Sequence, residues 1–590
     1  MLGRVLAFLL LVSGGSQAPA QAPQKTLRYA FPVAETGFDP GQINDLYSSI
    51  ILGQIFDPPY AYDFLARPAK VRPNTAAAMP EVSADGLTWT IRLRPGIFFT
   101  DDPAFHGRER ELTAQDYVYS LKRHFDPKVK SPNLYLVHKL IAGMAEVREA
   151  ALKNGRFDYD REVEGVRALD RYTYRIRLTE PSPNLLYYLT YCNLMCAMAR
   201  EVVEAAGDQI MERPVGTNAY RIVQWKRSSR IVLERNPGYR EDFYAEEAPE
   251  GDEVKTAIAA RLKGRRLPMI DRVEVYIVEE PQPRWLAFLN GEHDLITAVP
   301  AEYISLAVPN GKLAPNLARA GIQVDRVTDL DLAFFYFGME NPLVGGYTPE
   351  KVALRRAIAL AYDVESAIRQ IYRGQAVPAQ STVPPDSYGH DRTLAGPLAE
   401  YSPAKAKALL DTFGYVDRDG DGYRDLPDGG KLVLEVASPP DSQSKVSDEV
   451  WRRSMEKIGV RVEFRKAKWP ELLRESRSGR LMIWGLGWIA AIPDAEPFYQ
   501  ILYGPNAGQS NHSRFNHPQW NRLFEKAKLL PDGPQRSALF REMDKIFFAY
   551  APMRPIIHRI TTGLSHPWVI GYQRHPVMRE FWKYVDIEKK

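Results

Sequence analysis

Residues 485–494 read Gly485-Leu486-Gly487-Trp488-Ile489-Ala490-Ala491-Ile492-Pro493-Asp494. Their spacing formally matches Gly-x-Gly-x-x-Ala, the pattern that lets backbone N–H groups approach a dinucleotide pyrophosphate when it links a strand to a helix. Here the chemistry fails. Trp488 would crowd the phosphate turn, and Pro493 with Pro497 spoils the helix that must follow. A second pattern, Asp417-x-Asp419-x-Asp421-Gly422, has the spacing of a calcium loop, with Asp425 nearby and Asp428 at the twelfth position. The bidentate glutamate of such loops is missing, so a calcium site and a plain polar turn both fit. Asp101 with Asp102, and Asp494 with Glu496, are carboxylate pairs on paper. Neighbours in sequence are usually turn residues, not the separated acid and base of a glycosidase. The ten histidines show no metal spacing with an acid between them. No Gly-x-Ser-x-Gly elbow, phosphate loop or zinc-protease motif occurs. These residues do not read as an enzyme, and no cofactor is expected.

Cys192 and Cys196 are the only cysteines. In an oxidising compartment they can pair, although a helical four-residue step makes bridge geometry awkward; the sequence leaves the bridge open. Their spacing suits neither a redox Cys-x-x-Cys nor a zinc site. With 77 basic and 73 acidic residues the net charge is +4. That is too balanced, and the basic residues too scattered, for a nucleic-acid partner. At 590 residues the chain needs two or three domains. Arg4, the apolar run 5–12 and Ala18-Pro19-Ala20 form a signal-peptide pattern over residues 1–20, with cleavage expected before Gln21. The run is too short for a permanent anchor and no later run is long enough to span a bilayer. No cysteine stands near the cut to carry a lipid. The expectation is a soluble, exported, monomeric protein.

The elements that must position these residues come from periodicity. Residues 88–94 and 172–178 alternate apolar and polar, as half-buried antiparallel strands do. Between them, Thr113 and Asp116 form a capping signature ahead of a helix with Val118, Leu121 and Phe125 on one face. Residues 26–30 and 273–278 read as strands, and 47–56 and 285–290 as helices. Residues 252–266 are polar and basic and read as a surface loop or helix. From residue 332 strands alternate with helices: strands 332–337, 432–437, 460–464 and 481–484, and helices 354–368 and 446–458. Ser402 caps a further helix, with Pro403 in its first turn and Gly414 after its end. This alternation predicts an α/β unit. The chain from about residue 556 reads as irregular and aromatic, returning to pack on the central unit.

Residues 214–240, PVGTNAYRIVQWKRSSRIVLERNPGYR, read locally as a hairpin with strands at 220–225 and 231–234, broken by Asn236-Pro237-Gly238. The wording resembles the signature of the family 5 extracellular solute-binding proteins, the oligopeptide and dipeptide receptors of ABC importers. SADGLTWTIRLRPGIFFTDD at 83–102 and LTAQDYVYSLKRHFDP at 112–127 resemble further motifs of that family. So do segments 354–368, 401–415 and 487–498, in the expected order.

The resemblance implies a two-lobed α/β fold with an extra inserted domain and a ligand cleft between lobes. Residues 21–57, 212–331 and 556–590 would form lobe 1, with 58–211 inserted in it. Residues 332–555 would form lobe 2, joined by crossovers near 330–335 and 553–558 and closing by a hinge. It implies a periplasmic receptor that captures a small solute, a peptide by default, and delivers it to an inner-membrane ABC permease. A receptor for an opine, oligosaccharide or metal chelate is the alternative within the class. A secreted hydrolase, or a periplasmic chaperone or sensor module, stands further off. In the family the loop after Trp484 lines the cleft, so Trp484, Gly487, Trp488, Ile489, Ala490 and Ala491 become ligand candidates. A core anchor is the lesser alternative for Trp488, and on closure Trp484 or Trp488 is expected to lose solvent. Glu35, Thr36 and Tyr47 fall where lobe 1 faces the cleft. Arg514 reads either as a cation for a ligand carboxylate or as a surface residue. Related receptors carry Asp-Gly turns like the one at 417 without needing metal. Peptide binders commonly place Asp three residues after the Trp, to hold the α-ammonium. Here that position is Ala491, so either the ligand lacks a free ammonium there or another acid such as Asp494 takes the role. The first is the expectation.

Overall fold

The computed structural model describes residues 24–588. The signal-peptide reading falls outside them. Strand Thr26–Phe31 lies parallel to Arg272–Ile277, which continues antiparallel to Arg230–Arg235 and then Tyr220–Lys226. The hairpin expected at 214–240 is therefore the edge of a four-stranded sheet. A separate four-stranded sheet carries Thr88–Arg92 against Thr173–Arg177. Trp89 faces Ile176 and Ile91 faces Tyr174, and all four are buried, as the alternation requires. Helix Ala114–Phe125 starts with the expected reciprocal cap: the Thr113 N–H donates to Asp116 at 2.7 Å. One continuous apolar core runs through both sheets and takes in Trp582, Tyr584 and Val585 from the chain end. Residues 58–211 have their own sheet but no core of their own.

An eight-stranded sheet forms most of the rest, beside two small two-stranded ones. Asp331–Phe337 sits between Ile483–Ile489 and Met553–Ser565, and Val433–Ser438 with Arg461–Lys466 extend the Ile483–Ile489 side. Two apolar cores cover this α/β part.

Several expectations change in detail. The helix expected at 354–368 is two, Pro349–Ala361 and Val364–Gln370. Asp363 accepts from the Ser366 N–H at 2.9 Å, and this cap restarts the helix after the break at Tyr362. The helix expected at 446 begins earlier, as Ser442–Glu456 behind an Asp441 cap. Residues 553–565 are one long strand, so the chain becomes irregular only after it. Cys192 and Cys196 are bonded. Helix Cys192–Met195 is a single turn and Cys196 has extended backbone, which is how a four-residue step escapes helical geometry.

The joint between the two smaller sheets is a buried ion pair. Asp57 accepts from Arg240 at 2.8 Å, Asn74 at 2.9 Å and Thr217 at 2.8 Å. Burial alone would raise its pKa, but the Arg240 and Lys583 charges and the hydrogen bonds hold it below the ordinary carboxylate value. A lowered folded pKa adds stability that is full above the unfolded value of about 3.9 and is lost as pH falls through the folded value. Asp57→Ala strands Arg240 and is expected to cost ~3–5 kcal/mol in denaturant titrations at pH 7. The gap between variant and native protein should narrow under acid. A gap that stays constant from pH 7 to pH 2 would show that Asp57 is not acting through its charge.

Candidate functional site

Two strands connect the sheets, and a cleft opens beside them. Asp331–Phe337 and Met553–Ser565 pair antiparallel, with Ala333 opposite Ile557 and Tyr336 opposite Met553. At the open end of this ladder the Asp331 carboxylate accepts the Arg559 N–H at 2.8 Å and also ion-pairs with its guanidinium. The Asp331 carbonyl lies 2.6 Å from His558 Nδ1. Burial pushes the Asp331 carboxyl up even against the Arg559 charge.

Around that end lie two cavities of about 870 and 420 Å³. They share Leu46, Ile489, Ala490, Pro576 and Arg579, so they are the outer and inner parts of one cleft. In the outer part Asp329–Asp331 and residues 559–562 form the floor, and Gln370–Arg373 rise from the α/β side. In the inner part helix Leu46–Ile55 contributes Ser49, Ile50 and Gly53. Tyr62 and Tyr187 add aromatic walls, and residues 576–580 with Lys583 and Tyr584 close the back. Ile492 crosses from the α/β part to pack into the continuous core of the other part. Asn184 donates to Glu496 at 2.7 Å and Tyr187 to Asp532 at 3.1 Å across the same boundary.

The cleft is positively charged. Arg574 sits 3.1 Å and Arg579 3.9 Å from the single carboxylate Asp329. Two guanidiniums for one carboxylate leave net positive charge facing the space. Burial, and repulsion from Arg574, bring the Arg579 guanidinium down to about 10. It stays charged at neutral pH.

The residues singled out by sequence divide sharply. Ile489 and Ala490 line both cavities and Ala491 lines the inner one. Tyr47 lies at an adjoining recess, its ring 4.9 Å from that of Phe31. The supposed loop after Trp484 is strand Ile483–Ile489, paired residue by residue with Asp331–Phe337. Strand alternation then sends Trp484 and Trp488 to the face opposite Ile489. Trp484 is buried beside Trp469 and Trp488 packs on the same core. Neither lines the cleft, and Trp484 has no solvent contact left to lose. Gly487 shares the Ile489 face and a side chain there would meet nothing. Asp494 cannot serve a ligand ammonium: it is fully buried and Arg536 grips it through both guanidinium nitrogens. Arg514 has left-handed backbone and pairs with Glu340 at 2.9 Å, away from the cleft. Glu35 is buried and accepts from Trp225 at 2.6 Å and Ser228 at 3.1 Å, which fixes the hairpin. Thr36 bonds Asp45 at 2.6 Å, the residue that caps helix Leu46–Ile55. Neither Glu35 nor Thr36 lines the cleft.

Asp417, Asp419 and Asp425 do converge. Lys431 stands among the same acids, 3.1 Å from Asp421 and 3.4 Å from Asp425 and in contact with Asp419. Asp417 is spent on the N–H groups of Gly420 at 2.7 Å and Gly422 at 2.9 Å. These acids are thus contacted by one ammonium and by the amides of their own turn.

Sequence reasoning missed the C-terminal wall, residues 574–584. Its only signal is a charged stretch, Arg574, Arg579, Glu580 and Lys583, set among aromatic residues.

The profile of bacterial extracellular solute-binding proteins, family 5 Middle, matches residues 70–510. A di/tripeptide-binding protein 2 of Pseudomonas aeruginosa (strain UCBPP-PA14) is 24% identical over 98% of this chain and 98% of its own. Among solved structures, HbpA2 from Haemophilus parasuis superposes with a TM-score of 0.76 at 19% identity, over 96% of this chain and 100% of the other. A periplasmic murein tripeptide-binding protein in its unliganded open form gives 0.75 at 20% identity, over 96% and 98%. Both share the fold.

Ile489 is 71% exposed and Trp484 1%. Trp484→Ala should therefore cost ~3–5 kcal/mol of stability, whereas Ile489→Ala should fall within about 0.5 kcal/mol of wild type. Denaturant titration of the two variants checks which residue belongs to the core. Equal losses would contradict the assignment of faces.

Proposed function

The chain belongs to family 5 of the bacterial extracellular solute-binding proteins, and from that premise we propose that it captures a short peptide in the cleft and passes it, unchanged, to an ABC-type membrane permease. The observation that carries this is the position of the cleft. Its floor is the pair of strands that connects the two parts of the protein, and its walls come from both parts. A ligand touching both walls favours their approach, because only the closed arrangement lets it make every contact.

The peptide class rests on the name of the Pseudomonas aeruginosa relative and on wall chemistry. Tyrosine, leucine and isoleucine surfaces suit side chains, and the Arg574–Arg579 pair suits a carboxylate. Family membership and a cleft lined, among the described residues, by apolar, aromatic and ion-paired side chains support capture without bond cleavage. The protein acts as a periplasmic monomer, exported with residues 1–20 removed. N-terminal sequencing of the periplasmic form should begin at Gln21.

Native mass spectrometry of protein purified without denaturant identifies the bound solute. Small-angle scattering with that solute should show a smaller radius of gyration than the emptied protein, and the solute should be recovered chemically intact. Ile489→Asp, a charge on an exposed wall, should weaken binding by roughly tenfold or more, since apolar contact there is worth ~1.5–3 kcal/mol. A cleaved solute, or saturable binding with no contraction, would overturn this reading.

A further inference from the structure

The aromatic wall of the inner cavity comes from one short stretch of chain. Tyr187, Tyr188, Thr190, Tyr191, Cys192 and Asn193 all line it. Regular structure does little to hold them. Leu185–Tyr188 and Cys192–Met195 are each about one helical turn, and a single turn fixes several dihedrals for very few hydrogen bonds. Two other contacts secure the stretch. Asn193 donates to the Ile43 carbonyl at 2.9 Å and to Ser49 at 2.7 Å, which ties it to the first turns of helix Leu46–Ile55. The Cys192–Cys196 disulfide closes the turn that follows.

The stability a bridge contributes through the unfolded chain grows with the loop it closes. Cys192 and Cys196 are four residues apart, so this bond constrains the unfolded chain very little. Its place in the folded protein is more telling. Cys192 lines the cavity, while Cys196 is 1% exposed and belongs to the continuous core. Earlier in the same stretch, Tyr187 stacks on Tyr62 with ring centroids 6.4 Å apart and donates to Asp532 of the α/β part at 3.1 Å. The bond therefore fastens to the core the segment that carries both the tyrosine wall and a contact across the cleft.

We propose that the Cys192–Cys196 disulfide positions this wall, so that the affinity of the cleft depends on the redox state of the bond. Reduction by a dithiol balances simply. A thiolate of the reagent bonds to one cysteine sulfur, the S–S bond breaks and the freed sulfur takes a proton. The second thiol of the reagent then displaces the mixed bond, leaving two cysteine thiols and the reagent as its own disulfide. Cys196 is sealed in the core, so the attack falls on Cys192 from the cavity, and a solute lying there shields it. The coupling is reciprocal: the factor by which reduction weakens binding is the factor by which bound solute disfavours reduction. This inference rests on the peptide-capture reading and adds a redox condition to it.

The experiment uses the full mature chain and a panel of di- and tripeptides, titrated by calorimetry before and after reduction with dithiothreitol. Reduced protein should bind about tenfold or more weakly, because three loosened tyrosines must be ordered again on binding, and reoxidation should restore the affinity. Saturating peptide should slow the reduction, followed by mass spectrometry of alkylated thiols. Cys196→Ala removes the bond but leaves Cys192 in the wall. It should match the reduced protein in affinity while still unfolding cooperatively in denaturant. Hydrogen exchange on reduction should rise over residues 185–196 and stay unchanged in the α/β part. Equal affinity of oxidised and reduced protein, or a reduction rate indifferent to saturating peptide, would overturn the proposal and leave peptide capture standing. If Cys196→Ala does not fold, the dithiothreitol comparison on the native chain decides. If no peptide binds the oxidised protein, peptide capture fails and the redox condition fails with it, and exchange over 185–196 that ignores reduction would remove the positioning role as well.

Discussion

One strand belongs to both halves of this protein. The first residues of Met553–Ser565 pair with Asp331–Phe337 in the α/β part. Its last residues pair with Gln323–Thr328 and Leu295–Ile296 on the other side. Between these ladders the register passes through Asp329, Leu330 and Asp331 on one strand and His558 and Arg559 on the other. Asp329 N–H donates to the Arg559 carbonyl at 2.8 Å, and Asp331 holds the Arg559 backbone and head group together. Strand Ala376–Pro378 also pairs here, with Ile557, His558 and Arg559, so the crossing stretch is held from a third element as well. The same residues are the floor of the outer cavity. The connection between the halves and the floor of the cleft are thus one element.

The walls depend on pairings that never touch the cleft. Asp494 and Arg536 are fully buried. Their bond anchors the chain immediately after residues 489–492 turn along the cavity. Arg536 also reaches Asp532 at 2.8 Å, whose other oxygen accepts from Tyr187 at 3.1 Å, so the anchor extends to the opposite wall. A guanidinium serves such a junction better than an ammonium, because its fork meets two carboxylates in fixed geometry.

How far the sequence could be read follows from the range of the forces. The cap at Thr113 and Asp116, the alternation around Trp89 and Tyr174, and the hairpin after residue 214 are local, and all three appear where expected. The face of Trp488 was not readable. Gly485 and Gly487 look like loop residues, since isolated glycine weakens a strand. Only pairing with Asp331–Phe337, about 150 residues away in sequence, overrides that preference. The wall at 574–584 was hidden for the same reason. It meets helix Leu46–Ile55 from the opposite end of the chain, and no periodicity encodes such a contact.

Strand alternation explains what the glycines do instead. Trp484, Leu486 and Trp488 form the side that packs on the α/β core. Gly485, Gly487 and Ile489 form the other side, and a Cβ at Gly487 would have open space around it. Packing therefore does not demand glycine there, and neither does backbone strain, since neither position has a left-handed φ. Their absent side chains leave this face of the strand open, and Ile489 is the first residue along it that lines the cleft. The two glycines and the two tryptophans are opposite faces of one strand: bulk on the side that packs on the core, and none on the side left open.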